Sequence, residues 1–160
     1  MKQRWRDATL VTPAGEIQRD LLIEGDRFSA IVERNSTTGD DWRDIDARGK
    51  ILFPGIIDLL QHGLGVHLYN DTDSGAVAHS SQLLLARGVT GFLPSISCLP
   101  PQQMEGVLER LSAQTSEAKG ARALGVHSEG PCFASPGAHN IENIVQPSEG
   151  LAARMLAATD

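Results

Sequence analysis

The sequence predicts an α/β fold: a small layer of strands, then alternating strands and helices around a parallel sheet. Three observations predict it. Residues 8–46 contain short apolar, β-branched stretches separated by Pro- and Gly-bearing turns. Residues 51–60, Ile-Leu-Phe-Pro-Gly-Ile-Ile-Asp-Leu-Leu, are an almost continuous apolar run, the pattern of a strand buried on both faces of a parallel sheet. Beyond it, strand-like and helix-like patterns alternate, as they do in βα units.

The first layer comprises four short strands. Residues 8–12 are apolar and β-branched, and Pro13-Ala14-Gly15-Glu16 turns the chain. Residues 17–24 form a second strand, Gly25-Asp26 a turn, and residues 28–33 a third strand. A polar loop spans 35–41, and residues 42–46 make one more short strand. Aromatic residues are few, so the layer is thin and needs packing partners, because isolated strands are marginal alone.

The larger part starts at residue 51. Residues 74–87 have helical spacing, with Val77, Leu83, Leu84 and Ala86 apolar and Gly88 at the C-terminal end. Residues 89–95 read as a second buried strand. Pro100-Pro101 opens a helix running to residue 118, with Met104, Val107, Leu108 and Leu111 on one side. Gly120 stops it, and residues 121–128 form a third strand. A Gly-, Pro-, Ser- and Asn-rich loop fills 130–147, and Ser148-Glu149-Gly150 starts a third helix. The domain boundary is placed between residues 50 and 51. An open sheet and a (β/α) barrel both satisfy this order.

Composition narrows the function. The 160 residues carry a net charge of −6, which disfavours a nucleic-acid partner, since phosphate binding wants a basic surface. No apolar run is long enough to span a bilayer. The basic start at residues 1–7 has no apolar segment behind it, so no signal peptide is read. Cys98 and Cys132 read as reduced thiols of a cytoplasmic protein, with a single disulfide as the alternative.

Functional groups in parallel α/β folds collect at the C-terminal ends of strands. One such end carries Asp58-Leu59-Leu60-Gln61-His62-Gly63; strand alternation puts Asp58, Leu60 and His62 on one face. His62 either ligates a metal or packs at the turn. A second end carries His127-Ser128-Glu129-Gly130-Pro131, where His127 and Glu129 share a face. Glu129 reads as a metal-ligating carboxylate or as an exposed loop residue. The loop after it holds Gly137-Ala138-His139-Asn140, whose His and Asn can hydrogen-bond a sugar, phosphate or amide, or simply make a turn. His79 reads as a surface or packing residue of a helix, and His67 sits in a Gly-rich loop.

Phe53-Pro54-Gly55-Ile56-Ile57-Asp58 resembles a strand of the amidohydrolase superfamily. Leu22-Ile23-Glu24-Gly25-Asp26-Arg27 with Ala30-Ile31 resembles the superfamily's N-terminal β-sandwich. Gly88-Val89-Thr90-Gly91-Phe92-Leu93-Pro94-Ser95 resembles its second barrel strand. Gly125 to Pro131, with Gly137-Ala138-His139-Asn140, resembles the third strand and substrate loop of the N-acetylglucosamine-6-phosphate deacetylase family. The matches run in order along almost the whole chain.

The resemblance implies a partial (β/α)₈ barrel, its first three βα units, after strands of a small β-sandwich. It implies that Glu129 and His62 are metal ligands and that Ala138, His139 and Asn140 contact substrate. The implied cofactor is a divalent metal, zinc first, with iron, cobalt or manganese as alternatives. The implied substrate is a small amino-sugar phosphate, and the implied full-length assembly is a homodimer. The family's catalytic aspartate and other metal histidines come from later strands, and a complete barrel needs roughly 250 residues. Leu60, at the first position of the family's His-x-His motif, offers no ligand. The expected activity is therefore deacetylation by the intact enzyme, with the 160-residue piece inactive alone. The alternatives are a non-catalytic sugar-phosphate-binding remnant, or an amidohydrolase acting on another N-acyl amino sugar or a cyclic amide.

Overall fold

The computed structural model describes residues 1–36, 39, 41–71 and 75–159. They divide into two compact units, Met1–Pro54 and Gly55–Asp160, mixed β and α/β respectively.

The first unit is one sheet of five strands: β1 (Lys2–Thr12), β2 (Gly15–Glu24), β3 (Arg27–Val32), β4 (Arg43–Asp46) and β5 (Ile51–Leu52). The order is β3-β2-β1-β4, with β5 also paired to β1. The β1–β2 and β2–β3 pairs are antiparallel, while β4 and β5 run parallel to β1. Alternation sends Ala8, Leu10 and Leu21 into a small core with Ala47, flanked by Trp5, Ile17, Ile23 and Leu52. Strand β1 starts at residue 2, six residues before its apolar stretch. Its first half, Lys-Gln-Arg-Trp-Arg-Asp, has no apolar alternation. Pairing with both β2 and β4 extends it, across a register break between Trp5 and Ala8. Asp7 lies in that break at φ 58°, and its N–H donates to Asp20 Oδ1 at 2.9 Å.

The apolar run at 51–60 departs from expectation twice. It is not one strand: β5 ends at Leu52 and pairs with β1, whereas β6 (Ile56–Gln61) pairs with the later strand β9 (Val89–Ile96). Pro54 lies at the break, where a residue without an N–H cannot carry a ladder onward. Nor is it buried: Ile51, Phe53, Ile56, Ile57, Leu59 and Leu60 are all exposed.

In the second unit a short hairpin of β7 (Gly63–Leu64) and β8 (His67–Leu68) follows β6, then α1 (Ala76–Leu85) and β9 (Val89–Ile96). Next come α2 (Pro101–Gln114), β10 (Arg122–Ala123), β11 (His127–Ser128) and α3 (Glu149–Ala157). Strands β6, β10 and β11 all pair parallel with β9, the arrangement that helical crossovers require. Ser74, where the sequence starts the first helix, lies outside the described residues. The third strand, expected as one run over 121–128, is broken into β10 and β11 around Gly125, at φ 147°. Helix α2 begins at Pro101, whose missing N–H is harmless in a first turn. Met104, Leu108 and Leu111 recur at helical spacing, and with Phe92, Ile96, Val77 and Tyr69 they form a fully buried core. Burial pushes the Tyr69 hydroxyl up to about 12. Ser148 caps α3, its Oγ accepting from Leu151 N–H at 3.2 Å.

Candidate functional site

Parallel pairing brings the ends of β6, β9 and β11 to one edge of the sheet. The register sets Gln61 opposite Pro94 and His127 opposite Ser95, so the residues just past β6 and β11, His62 and Glu129, meet beside the end of β9. Glu129 N–H donates to the Ile96 carbonyl at 3.0 Å, holding that strand end in line.

Strict alternation does not survive in β6. Its register against β9 slips between Asp58 and Gln61, and the Leu60 N–H turns to Asp58 Oδ1 at 3.3 Å. A slip of this kind re-aims the side chains after it, so Asp58, Leu60 and His62 do not make the regular face that period-two spacing predicts. Leu60 is half-exposed.

His62 is held by one ring nitrogen and presents the other. Nδ1 lies 3.0 Å from the Ser95 carbonyl oxygen and 3.3 Å from Ser97 Oγ. A carbonyl only accepts, so Nδ1 carries a proton and donates. Nε2 then faces Glu129 Oε2 at 3.2 Å. In the neutral ring Nε2 offers a lone pair to a carboxylate, and only a proton or a cation between them makes that contact favourable.

The other carboxylate oxygen faces the loop. His139 Nε2 lies 3.5 Å from Glu129 Oε1. The His139 ring stacks on Phe133, centroids 4.5 Å apart and planes 23° from parallel, and its backbone N–H donates to the Pro136 carbonyl. Gly130 makes room for Phe133: it sits at φ 100°, and a Cβ there would fall 2.5 Å from the Phe133 ring and 3.3 Å from Cys98 Sγ. The peptide bond between Gly130 and Pro131 is cis.

The structure thus joins three of the residues singled out in the sequence: His62, Glu129 and His139. Asn140 and Ala138 share the loop and are exposed; Asn140 Oδ1 accepts from Glu142 N–H at 3.1 Å, capping a short 3₁₀ turn at Ile141–Asn143. His67 and His79 contact each other, rings tilted with centroids 4.4 Å apart.

Sequence reasoning missed four supporting residues. Ser95 and Ser97 hold His62, and Asn70 Oδ1 accepts from Ser97 N–H at 3.0 Å. Asn143 ties the loop down, its Nδ2 donating to the Cys98 carbonyl at 3.2 Å. The readable signal was the pair of serines in an otherwise apolar strand end, where a buried hydroxyl needs a partner. Both cysteines are free thiols, Cys98 buried and Cys132 exposed. Burial first, then the proximity of Cys132 and Glu129, pushes the Cys98 thiol up.

Two imidazole nitrogens and a carboxylate are zinc-type donors. Among the described residues, no three His, Cys, Asp or Glu side chains converge to hold a metal ion; the two histidines bracket Glu129 on separate oxygens. The donors fit a divalent metal in kind and fall short of a full ligand set in number.

Over 121 residues, 72% of this chain, the sequence is 33% identical to an N-acetylglucosamine-6-phosphate deacetylase of Rattus norvegicus. This chain is a homologue of the N-acetylglucosamine-6-phosphate deacetylases. The matched stretch is consistent with their N-terminal portion, and it covers 29% of the rat deacetylase's length. The solved deacetylase structure from Pasteurella multocida shares the fold of this deacetylase homologue, with a TM-score of 0.79 at 24% identity. That match covers 100% of this chain and 43% of the other. The deacetylase structure from Thermotoga maritima matches with a TM-score of 0.75 at 25% identity, over 94% of this chain and 39% of that one. No family model matches the chain. Among the described residues no helix is long and apolar enough to cross a membrane.

Proposed function

We propose that this chain carries part of the active site of a metal-dependent hydrolase that removes the acetyl group from N-acetylglucosamine 6-phosphate. The observation that carries the reading is the contact of His62 Nε2 with Glu129 Oε2, 3.2 Å apart beside the end of β9. Glu129 and His62 would hold a divalent cation, zinc by donor type. When bound, such a cation acidifies a water ligand and polarises an amide carbonyl.

The chain's own residues do the rest of what is local. Glu129 supplies the charge that attracts the cation, and the Ser95 carbonyl keeps the Nε2 lone pair of His62 aimed at it. His139, stacked on Phe133, and Asn140 stand on the loop where a sugar's polar groups would be bound. Two exposed apolar surfaces support a partial barrel preceded by half of a β-sandwich. Strand β6 exposes Ile56, Ile57, Leu59 and Leu60, apolar side chains suited to burial inside and around a barrel wall. The first unit has an apolar hollow of about 290 Å³, lined by residues such as Phe28, Ile31 and Phe53, suited to a second layer of strands.

The 160 residues alone would not turn over, because Glu129 and His62 are too few donors for a catalytic metal, and among the described residues no third His, Cys, Asp or Glu side chain joins them to hold one. A zinc-supplemented acetate-release assay on the purified chain tests this: no turnover is expected, and turnover abolished by Glu129→Ala would overturn the inactivity. Leu60 favours a second reading, sugar-phosphate binding without hydrolysis. A saturable melting shift with the sugar phosphate, unaffected by zinc, supports that reading instead.

A further inference from the structure

Ser95 is hydrogen-bonded to the ends of both β6 and β11. It is fully buried, and its hydroxyl makes three hydrogen bonds. It accepts from the Gln61 N–H at 3.1 Å, donates to the Leu93 carbonyl at 3.0 Å, and meets His127 Nδ1 at 3.1 Å. A hydroxyl has one proton and two lone pairs. With the proton on Leu93, both remaining partners must donate, which assigns the His127 proton to Nδ1.

The Gln61 bond falls where β6 slips against β9, between Asp58 and Gln61. At the slip the regular ladder no longer supplies a carbonyl for the Gln61 N–H, and the serine hydroxyl takes its place. Gln61 is itself buried, so that N–H cannot turn to water. The next residue is His62, whose Nδ1 donates to the carbonyl of the same serine. One residue therefore holds both the backbone before His62 and the ring of His62. His127, two positions before Glu129, locks the hydroxyl from the third strand.

We infer that Ser95 is a positioning residue for the metal-facing nitrogen of His62, with His127 acting through the Ser95 hydroxyl. Outer partners of this type orient a ligand's ring and fix its tautomer, and their loss typically weakens metal binding about 10–100-fold. The inference rests on the metal reading above for its purpose, and on hydrogen-bond geometry alone for its content.

The test uses the whole chain with ¹⁵N-labelled histidine, first without metal and then titrated with Zn²⁺. The variants are Ser95→Ala, His127→Ala and His127→Asn, the last keeping an N–H donor near the place of Nδ1. In the zinc-free protein His62 should show a protonated Nδ1. Ser95→Ala and His127→Ala should shift its ring signals toward a tautomer mixture, and His127→Asn should restore them. With zinc, the two alanine variants should bind about 10-fold more weakly, and His127→Asn within about 3-fold of the parent. Folded alanine variants that keep the parent's His62 spectrum would overturn the inference. His127 is only half-buried, so its variants remain informative if Ser95→Ala fails to fold. A parent chain that ignores Zn²⁺ would refute the metal reading, while the zinc-free His62 spectra still decide the positioning role.

Discussion

His62 Nε2 stands 3.2 Å from Glu129 Oε2, although the two residues belong to different βα units. Parallel pairing to β9 makes the meeting possible, and the Ser95 carbonyl selects which ring nitrogen takes part. If this contact is the metal-facing corner, Glu129→Gln removes the charge while keeping the shape. Zinc affinity, read by competition calorimetry on the whole chain, should fall by at least on the order of 100-fold, because losing a charged ligand costs no less than losing an outer partner. Parent-like affinity in the variant would place the cation elsewhere.

Gly130 is predicted to be intolerant of any side chain. Its φ of 100° disfavours L-residues, and an added Cβ would meet the Phe133 ring at 2.5 Å. Gly130→Ala should cost about 1–3 kcal/mol and push Phe133 away from His139. Gly137→Ala is the control: it shares a positive φ, 54°, but has open space around it, so it should cost only about 1 kcal/mol. Chemical denaturation gives both costs, and the His139 ring proton shifts report the stacking. Equal losses in the two variants would mean that backbone strain alone matters and the ring contact does not.

Much of this was legible because local physics and fold agree. The α2 face of Met104, Leu108 and Leu111, the Pro101 start and the Ser148 cap are each dictated by short-range rules, and each appears as expected. The site was legible as strand-end chemistry, since His62 and Glu129 each precede a glycine just past an apolar strand. Long-range pairing was not legible. Strand β1 begins in a charged segment because β2 and β4 enclose it, and no pattern within residues 2–7 records that. The slip in β6 also lay beyond a period-two reading, because it depends on a serine more than thirty residues later. The apolar run at 51–60 misled for a related reason: hydrophobicity shows that a face is meant to be covered, without saying that it is covered within these residues.

The loop carrying His139 should depend on Asn143. Its Nδ2 reaches the Cys98 carbonyl, and its own carbonyl receives the Cys98 thiol at 3.7 Å. Val145 N–H, two residues on, donates to the Pro131 carbonyl at 3.0 Å. Asn143→Ala removes the side-chain tie and leaves the other two. A loss of about 1 kcal/mol is expected, felt locally as faster cleavage between residues 132 and 147 in limited proteolysis. Unchanged cleavage would show that the backbone ties suffice.

The last prediction concerns the first unit in acid. Strand β4 and the residues just before it are fastened to β1 by ion pairs: Arg4 with Asp44 at 2.6 Å, Arg6 with Asp44 at 3.2 Å, and Lys2 with Asp41 at 2.7 Å. Beside them Arg48 holds Asp46 at 2.6 Å. The Arg4 hydrogen bond draws Asp44 below its ordinary value, Lys2 does the same for Asp41, and the Arg48 hydrogen bond takes Asp46 down to about 2. A carboxylate lowered on folding contributes stability that is full above its unfolded value, about 3.9, and is lost as pH falls through the folded one. Pairing of β4 should therefore weaken between about pH 4 and pH 2, while the antiparallel β1–β2 ladder persists. Amide exchange corrected for intrinsic rates checks this: protection at residues 43–46 should fall relative to residues 17–23 as pH drops from 5 to 2.5. Arg4→Met should reproduce part of the loss at pH 6, and high salt should lessen the pH effect, since these pairs are exposed and screened. Equal protection of both ladders at pH 2.5 would show that backbone pairing and the Trp5 side of the core hold β4 without its charges.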